Sequence, residues 1–377
     1  MAELENVLIV GGGISGTSLA VGLSALGLEV TLVESEPEWG PLGVGITLQG
    51  PALRAFGELG LLDAVVSAGV GINALHVGDA SGEVLETIPL TRMCGEAYPG
   101  TVTIRRPALH TVLAAAAAQN AVQIRTGCTV SALEHRDHGV IVTFADGSTG
   151  DFDLAIGADG VRSQMRQLVL GPACTAPDFT QQAVWRVMLP RHANVGERMM
   201  VFYGPTNKIG FSPMPPDEMY VFVVQGAPTR PRPPREELPT LLSDQLSPYS
   251  GWLADIPPLI DPARIDYRPI DVILVPNPWY VGRVLLIGDA AHATTPHLAS
   301  GATIAIEDAA VLTEMIAERP TDVEELLARF MQRRFERCRM VVENGVQLGR
   351  WEREPVDRTA DAVELMRTSF ETLAQPA

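Results

Sequence analysis

Cysteine and lysine are both scarce in this chain of 377 residues. The four cysteines, Cys94, Cys128, Cys174 and Cys338, lie far apart. There is no C-x-x-C pair for a dithiol or zinc knuckle, no metal site is expected, and a secreted disulfide framework would be denser. Lys208 is the only lysine, and 28 Lys plus Arg against 45 Asp plus Glu leave a formal net charge of -17. A phosphate backbone is held by clusters of cationic side chains, so this balance argues against a nucleic-acid partner or an adapter for anionic membranes. It leaves room for a local anion site built from backbone N–H groups. Long apolar runs are missing too: the stretch from Leu109 to Ala118 falls far short of the ~20 residues that a membrane span needs. The opening Met1-Ala2-Glu3-Leu4-Glu5 is acidic and runs at once into strand-like residues, so no secretion signal is expected. A soluble, cytoplasmic protein is the expectation.

What is present is an alternation of strand and helix patterns. Hydrophobic residues make up 46% of the chain, enough for a large core, and at roughly 150 residues per domain the length suggests two or three units. Asn6 to Val10 is a short apolar run ending in glycines, Ile14 to Leu26 carries a helical pattern, and Glu29 to Glu34 reads as a second strand. Further helices are expected over 52–68, from Pro107 to Gln119, from Gly301 to Ala317 and from Val323 to about Leu348. Val140 to Phe144 alternates toward an Asp146-Gly147 turn, while Leu154 to Ala158 and Val284 to Ile287 read as buried strands. From about 176 to 225 strand-like runs replace helices, at 183–189, 199–203 and 219–224. Residues 228–239 read as a proline-rich surface loop, Pro257 to Pro278 as a proline-broken stretch, and 355–377 as a short helix with a frayed tail. The pattern predicts one discontinuous α/β domain interrupted by a sheet-rich one, with no internal repeat.

Gly11, Gly13 and Gly16 form G-x-G-x-x-G between the first strand and the first helix. The first glycine permits the turn, the second lets backbone approach a pyrophosphate, and the third lets helix and strand pack closely. Ile14 and Ser15 open the helix, whose orphan N–H groups and positive dipole end attract an anion without any lysine. Glu34, at the end of the next strand, can accept from both hydroxyls of a ribose. The pattern predicts a dinucleotide site and does not by itself separate NAD from FAD.

Two later segments decide between them. One is Gly157-Ala158-Asp159-Gly160-Val161-Arg162-Ser163. The other is Gly288-Asp289-Ala290-Ala291-His292-Ala293-Thr294-Thr295-Pro296, followed by Gly301 and the run Ala305-Ile306-Glu307-Asp308-Ala309. With the opening fingerprint they resemble the three signatures of single-component flavoprotein aromatic hydroxylases, the para-hydroxybenzoate and salicylate hydroxylase-like monooxygenases. The resemblance runs to about residue 350 and is weakest between 176 and 265. It implies an α/β protein with a Rossmann-like FAD-binding domain of discontinuous sequence (1–72, 101–175 and 266–350). A sheet-rich substrate domain (73–100 and 176–265) interrupts it, and a C-terminal helix and tail (351–377) follow. It also implies that Asp159 and Gly160 touch FAD and a transient nicotinamide nucleotide, that Asp289 binds the ribityl chain, and that Arg106 contacts FAD. By the same resemblance, the stretch with Gly45 is expected near the flavin. On that expectation Pro296 would shape the ring pocket, and the helix starting at Gly301 and Ala302 would face the flavin edge that turns anionic on reduction. A capped surface turn for Asp159, a strand-ending turn for Asp289 and a surface arginine for Arg106 are the structural alternatives.

No second G-x-G-x-x-G is present, and the W-x-W-x-I-P stretch of flavin-dependent halogenases is missing. By resemblance, NAD(P)H reduces FAD, O2 forms a C4a-hydroperoxyflavin, and a phenolic or N-heteroaromatic small molecule is hydroxylated. Epoxidation or Baeyer–Villiger-type oxidation of a polyketide or terpenoid, an oxygen-independent FAD reductase or dehydrogenase, and a non-enzymatic flavin redox sensor are the alternatives. No catalytic residue is assigned. His292, Tyr203 and Tyr220 are weak candidates, with a turn histidine and core tyrosines as their structural readings. Arg186 or Arg198 could pair with a substrate carboxylate or be solvated strand arginines. Tyr203 and Tyr220 could donate to a phenolate. Thr47 and Pro296 complete the candidate substrate set. Some relatives carry histidine where Thr47 stands, and threonine is no base at neutral pH. Gly50-Pro51 replaces the usual Pro-Asn. Met188, Met199, Met200, Met214 and Met219, with Phe202, Phe211 and Phe222, suggest either a soft apolar pocket or a sheet core. The helix over 323–348 leaves monomer and homodimer both open.

Overall fold

Parallel strands need crossover connections that cover both faces of their sheet, so they read as unbroken apolar runs. That is the character of Asn6–Val10, Leu154–Gly157 and Val284–Leu286, and the structure, a computed structural model, places them side by side. It describes residues 4–40, 43–171, 174 and 176–377; the expected boundary at 175 lies outside these. Six strands form the central sheet, in the order Tyr280–Val281, Val284–Leu286, Leu154–Gly157, Asn6–Val10, Glu29–Glu34 and Gln123–Thr126. All neighbours are parallel except the first pair. Helices Ile14–Ala25 and Gly301–Ala317 pack closely: a Cβ on Gly22 would lie 2.3 Å from Thr313 Oγ1. A three-stranded antiparallel sheet, 130–152, turns at Asp146-Gly147 as expected.

The interrupting unit is a seven-stranded sheet in the order Asp266–Val272, Asp178–Pro190, Glu218–Gly226, Asn207–Met214, Met199–Tyr203, Ala74–Asp79 and Val84–Pro89. Side chains alternate across a sheet, so register divides it into two faces. Trp185, Val187, Met219, Val221, Phe211, Met200 and Phe202 share one face and form a closed core with Leu238, Leu242 and Leu246 of helix Leu238–Leu246. Arg186, Met188, Tyr220, Phe222, Gly210, Ser212, Met214, Met199 and Val201 share the other. Register therefore sends Met200, Met219, Phe202 and Phe211 to the core, and Met188, Met199, Met214 and Phe222 to the opposite face. A small sheet, Gly45–Gln49 with Thr101–Arg105 and Val70–Ile72, abuts that face: Thr103 Oγ1 donates to the Pro213 carbonyl at 2.5 Å.

Several expectations need correction. Strand Asp266–Val272 pairs with 178–190, so the sheet-rich unit extends past 265. Strand Asn207–Met214 went unread because Gly210 and Pro213 interrupt its pattern. The proline-rich loop ends in helix Leu238–Leu246, whose Pro239 sits in the first turn, where its missing N–H costs nothing. The expected helix 52–68 is two, Gly50–Glu58 and Leu62–Ser67, parted at Gly60 with φ +73. Nor is the tail frayed. Helix Thr359–Ala374 is held by Arg337 on the Thr372 and Leu373 carbonyls at 2.8 Å, and by Arg54 on Ala374 and Gln375.

Candidate active site

The glycine turn is built for close approach. A Cβ on Gly11 (φ +111) would lie 2.4 Å from the Ala158 carbonyl oxygen, and one on Gly16 would lie 2.0 Å from that of Gly11. A Cβ on Gly13, by contrast, would meet none of the described residues beyond its own neighbours within 4 Å. Helix Ile14–Ala25 starts there with no side-chain cap, so the N–H groups of Ile14 and Ser15 face that open space. Glu34 is folded back onto the turn, accepting from the Gly12 N–H at 2.9 Å and, on its other oxygen, from Glu36 N and Ser35 Oγ. Ser15 Oγ turns away, donating to the Ala305 carbonyl at 3.2 Å.

Asp159 is committed elsewhere. It accepts from Ser163 Oγ and from the N–H groups of Gln164 (2.7 Å) and Met165 (2.9 Å), capping helix Gln164–Leu170. The capped-turn reading describes its side chain, while a Cβ on Gly160 (φ +82) would meet none of the described residues beyond its own neighbours within 4 Å. Asp289 differs. It follows strand Val284–Leu286 and the turn at Gly288, where a Cβ would meet Ser15 Oγ at 2.9 Å. Its residue surface is open although protein surrounds it deeply, as on the floor of a narrow cleft. Burial pushes its carboxyl up, against the pull of His292 and Arg106. No hydrogen-bond partner for it occurs among the described residues.

Arg106 lies in the same cleft, its side chain against Gly43, where a Cβ would be 2.7 Å from Arg106 Cδ. Burial and the neighbouring Arg186 lower its pKa, while Asp289 and Tyr220 oppose this. Arg186 stands beside Tyr220 and 3.6 Å from Asp266, which also holds Arg268 at 2.8 Å. Burial raises the Tyr220 hydroxyl; Arg186 and Arg106 only partly offset it. Gly45 packs under this group, since its Cβ would lie 2.6 Å from Met214 Cε and 3.0 Å from the Tyr220 ring. Thr47 shares the strand face of Gly45 and Gln49, and Gln49 bonds the Leu298 carbonyl and Ser300 Oγ. Thus Thr47 stands between Tyr220 and the exposed Pro296 segment. Gly301 and Ala302 start helix Gly301–Ala317 without a side-chain cap.

Three candidates fall outside the cleft. His292 is fully buried in an ion pair with Asp308 at 2.6 Å, and the turn-histidine reading describes it. Burial opposes its charge, but the Cys338 sulfur and Asp308 outweigh burial and raise it well above the ordinary imidazole value. His292, Asp308 and Cys338 lie within 4.8 Å of one another, yet Arg334 already supplies a cation to Asp308 at 2.8 Å. Arg198 is exposed and donates to the Asn194 carbonyl in a turn. Tyr203 is 45% exposed at the end of its strand, opposite Lys208. Missed in the sequence were Asp266 and Arg268, whose strand was not recognised, and a polar chain that runs from the buried Thr295 out to the exposed Glu352. In that chain His297 joins Thr295 (2.9 Å) to Glu352 (3.0 Å), and Glu352 joins Lys208 (2.5 Å). No sequence pattern links those four.

Among the described residues the cleft thus offers uncapped helix starts for an anion, two glycines with open space, a carboxylate without a hydrogen-bond partner and a guanidinium without an ion pair. Those donors and acceptors fit a dinucleotide. The chain matches the family described as FAD binding domain over residues 5–345. It is 33% identical over 353 residues to the 2-heptyl-3-hydroxy-4(1H)-quinolone synthase of Pseudomonas aeruginosa (strain UCBPP-PA14), covering 92% of this chain and 90% of that one. It is 30% identical over 359 residues to the 6-hydroxynicotinate 3-monooxygenase of Pseudomonas fluorescens, covering 90% of each. Klebsiella pneumoniae HpxO, solved with FAD and uric acid, superposes with a TM-score of 0.85 at 23% identity, covering 98% of this chain and 92% of that one. No helix of the described residues is long and apolar enough to cross a membrane. The chain belongs to the FAD-binding-domain family and is an FAD-dependent monooxygenase.

Proposed function

We propose that the cleft hydroxylates a phenolic or N-heteroaromatic ring, with NAD(P)H as electron donor and O2 as oxidant, in a cytoplasmic monomer or homodimer. The observation that carries the reading is the juxtaposition of Asp289, Arg106, Tyr220 and Arg186 between the glycine turn and the second sheet. In this reading Gly11, Gly13, Ile14, Ser15 and Gly16 receive the pyrophosphate and Glu34 the adenosine ribose. Asp289 accepts from the ribityl hydroxyls, and Arg106, Gly45, Gly160, Pro296, Gly301 and Ala302 surround the flavin. Asp159 acts through the turn it caps. FAD, when bound, supplies the redox chemistry and the activation of O2; the chain orients the ring and excludes water.

Tyr220 is the side chain placed to meet the substrate. The neighbouring Arg186 has only donors, so it does not compete for the Tyr220 hydroxyl hydrogen. Burial keeps that hydroxyl protonated, so it can donate to an oxygen on the ring as negative charge develops there. Thr47 closes the opposite side. The quinolone and hydroxynicotinate in the relatives' names are oxygenated N-heteroaromatic rings, which supports the class. A panel of hydroxypyridines, quinolones and phenols under 18O2 tests it. The expected result is one labelled oxygen in a ring product and NAD(P)H consumption stimulated by that compound. If every ring only uncouples NAD(P)H oxidation to hydrogen peroxide, the reading is wrong.

A further inference from the structure

We propose that the outer half of the seven-stranded sheet's cleft face binds a hydrocarbon tail, and that the substrate is an aromatic ring bearing a linear aliphatic chain. This rests on the reading above for the ring's position. Strand register extends the row containing Tyr220 to Ser212, Met199, Leu75 and Ile88, and the row containing Phe222 to Gly210, Val201 and Val77. The inner end is polar, with Arg186, Tyr220, Asp266 and Arg268. Next comes an aromatic platform. The Phe222 ring lies across Gly210, where a Cβ would sit 2.1 Å from Phe222 Cζ.

Beyond Gly210 these two rows are apolar and half-open: Met199, Val201, Leu75 and Val77 are partly buried, and Ile88 is 38% exposed, while the next row of the same face, Lys208, Tyr203 and Asp79, is polar. Glu86 bounds it at the sheet edge. On the other face of the same strand Met200 and Phe202 are closed off, Phe202 edge-on against Trp252. The open side is therefore a surface of its own, running from inside the cleft across three strand spacings, ~14 Å. Five side chains are far fewer than the ~20–30 residues per side of a stable protein interface. A strip one or two side chains wide, continuous with a ring site, suits a single extended chain.

The test titrates FAD-loaded enzyme with 2-alkyl-4-quinolones and 4-alkylphenols bearing methyl, butyl or heptyl tails, following the flavin spectrum. Affinity should rise about fourfold per added methylene, the equivalent of ~0.8 kcal/mol for a buried CH2. Val77→Asp should flatten that dependence, and Ile88→Glu, at an already exposed site, should weaken only the longest tail. Affinity independent of tail length in both series, or no binding by either, overturns the proposal. So does a Val77→Asp chain that keeps the dependence but turns a dimer into a monomer on gel filtration, which assigns the strip to a second copy. Labelled oxygen in a ring without tail dependence removes the tail site alone. Tail dependence with no ring oxygenated removes the functional reading and leaves the tail site standing.

Discussion

Tyr220 shows how one strand position acquires a chemical role. A phenol on a sheet face is ordinarily a packing residue, but here burial holds it neutral while two guanidiniums stand close. Tyr220→Phe removes the donor and leaves the ring. A hydrogen bond to a charged group contributes ~1.5–3 kcal/mol, so kcat/KM for a hydroxylated ring should fall about ten- to a hundredfold. The sign of the pH dependence follows from the raised hydroxyl: donation persists below its pKa and is lost above it. The limb owed to Tyr220 should therefore lie on the alkaline side of the ordinary phenol value of 10.0 and vanish in the phenylalanine variant. A rate insensitive to this substitution at all pH values removes Tyr220 from the mechanism.

At the scale of elements, Gly13 and Gly16 separate what the turn does for packing from what it does for a ligand. Alanine at 16 would put Cβ 2.0 Å from the Gly11 carbonyl and force helix Ile14–Ala25 off its strand, whereas alanine at 13 meets no protein atom within 4 Å. Gly16→Ala should lower the thermal midpoint of flavin-free protein, by overpacking that costs ~1–3 kcal/mol. Gly13→Ala should leave that midpoint unchanged and weaken FAD retention on gel filtration. A matching loss of stability in both would mean that the open space at Gly13 serves no ligand. Helix Gly301–Ala317 is fixed differently, by Asp308 on His292 and Arg334 and by Glu307 on Arg337 at 2.6 Å, all buried. Asp308→Asn leaves cations unpaired in that interior and should cost ~3–5 kcal/mol in chemical denaturation. These elements were legible because their signals are local: an apolar run, a glycine spacing, a 3.6-residue period. Strand Asn207–Met214 was not, because its place comes from partners at Met199–Tyr203 and Glu218–Gly226 rather than from its own Gly210, Ser212 and Pro213. The same limit applied to site residues. Register, which no single strand reveals, brought Arg186 and Tyr220 into the cleft and left Arg198 in a turn.

Across the whole molecule, one of the polar links that tie the second sheet to the rest of the chain uses the only lysine. Lys208 on the second sheet meets Glu352, just past helix Val323–Trp351, and Glu352 meets His297 beside Pro296. Burial would raise the Glu352 carboxyl, but Lys208 and His297 pull it from 4.5 to about 2. Burial and Lys208 push His297 below its ordinary 6.5. Both groups bind protons more readily in the unfolded chain, so both contribute stability that is present at neutral pH and lost on acidification. The loss begins as pH falls through 6.5, where the unfolded histidine charges, and continues from 4.5 toward about 2 as the carboxylate is protonated. Glu352→Gln leaves the partly buried ammonium without its counter-charge and should cost ~1–3 kcal/mol at neutral pH. Its deficit against the parent should shrink as acid neutralises Glu352 in the parent too. Thermal midpoints of both proteins across pH 7 to 3 check this. A deficit that stays constant over that range would mean that Glu352 acts through packing and that its charge does not hold the Pro296 turn to the second sheet.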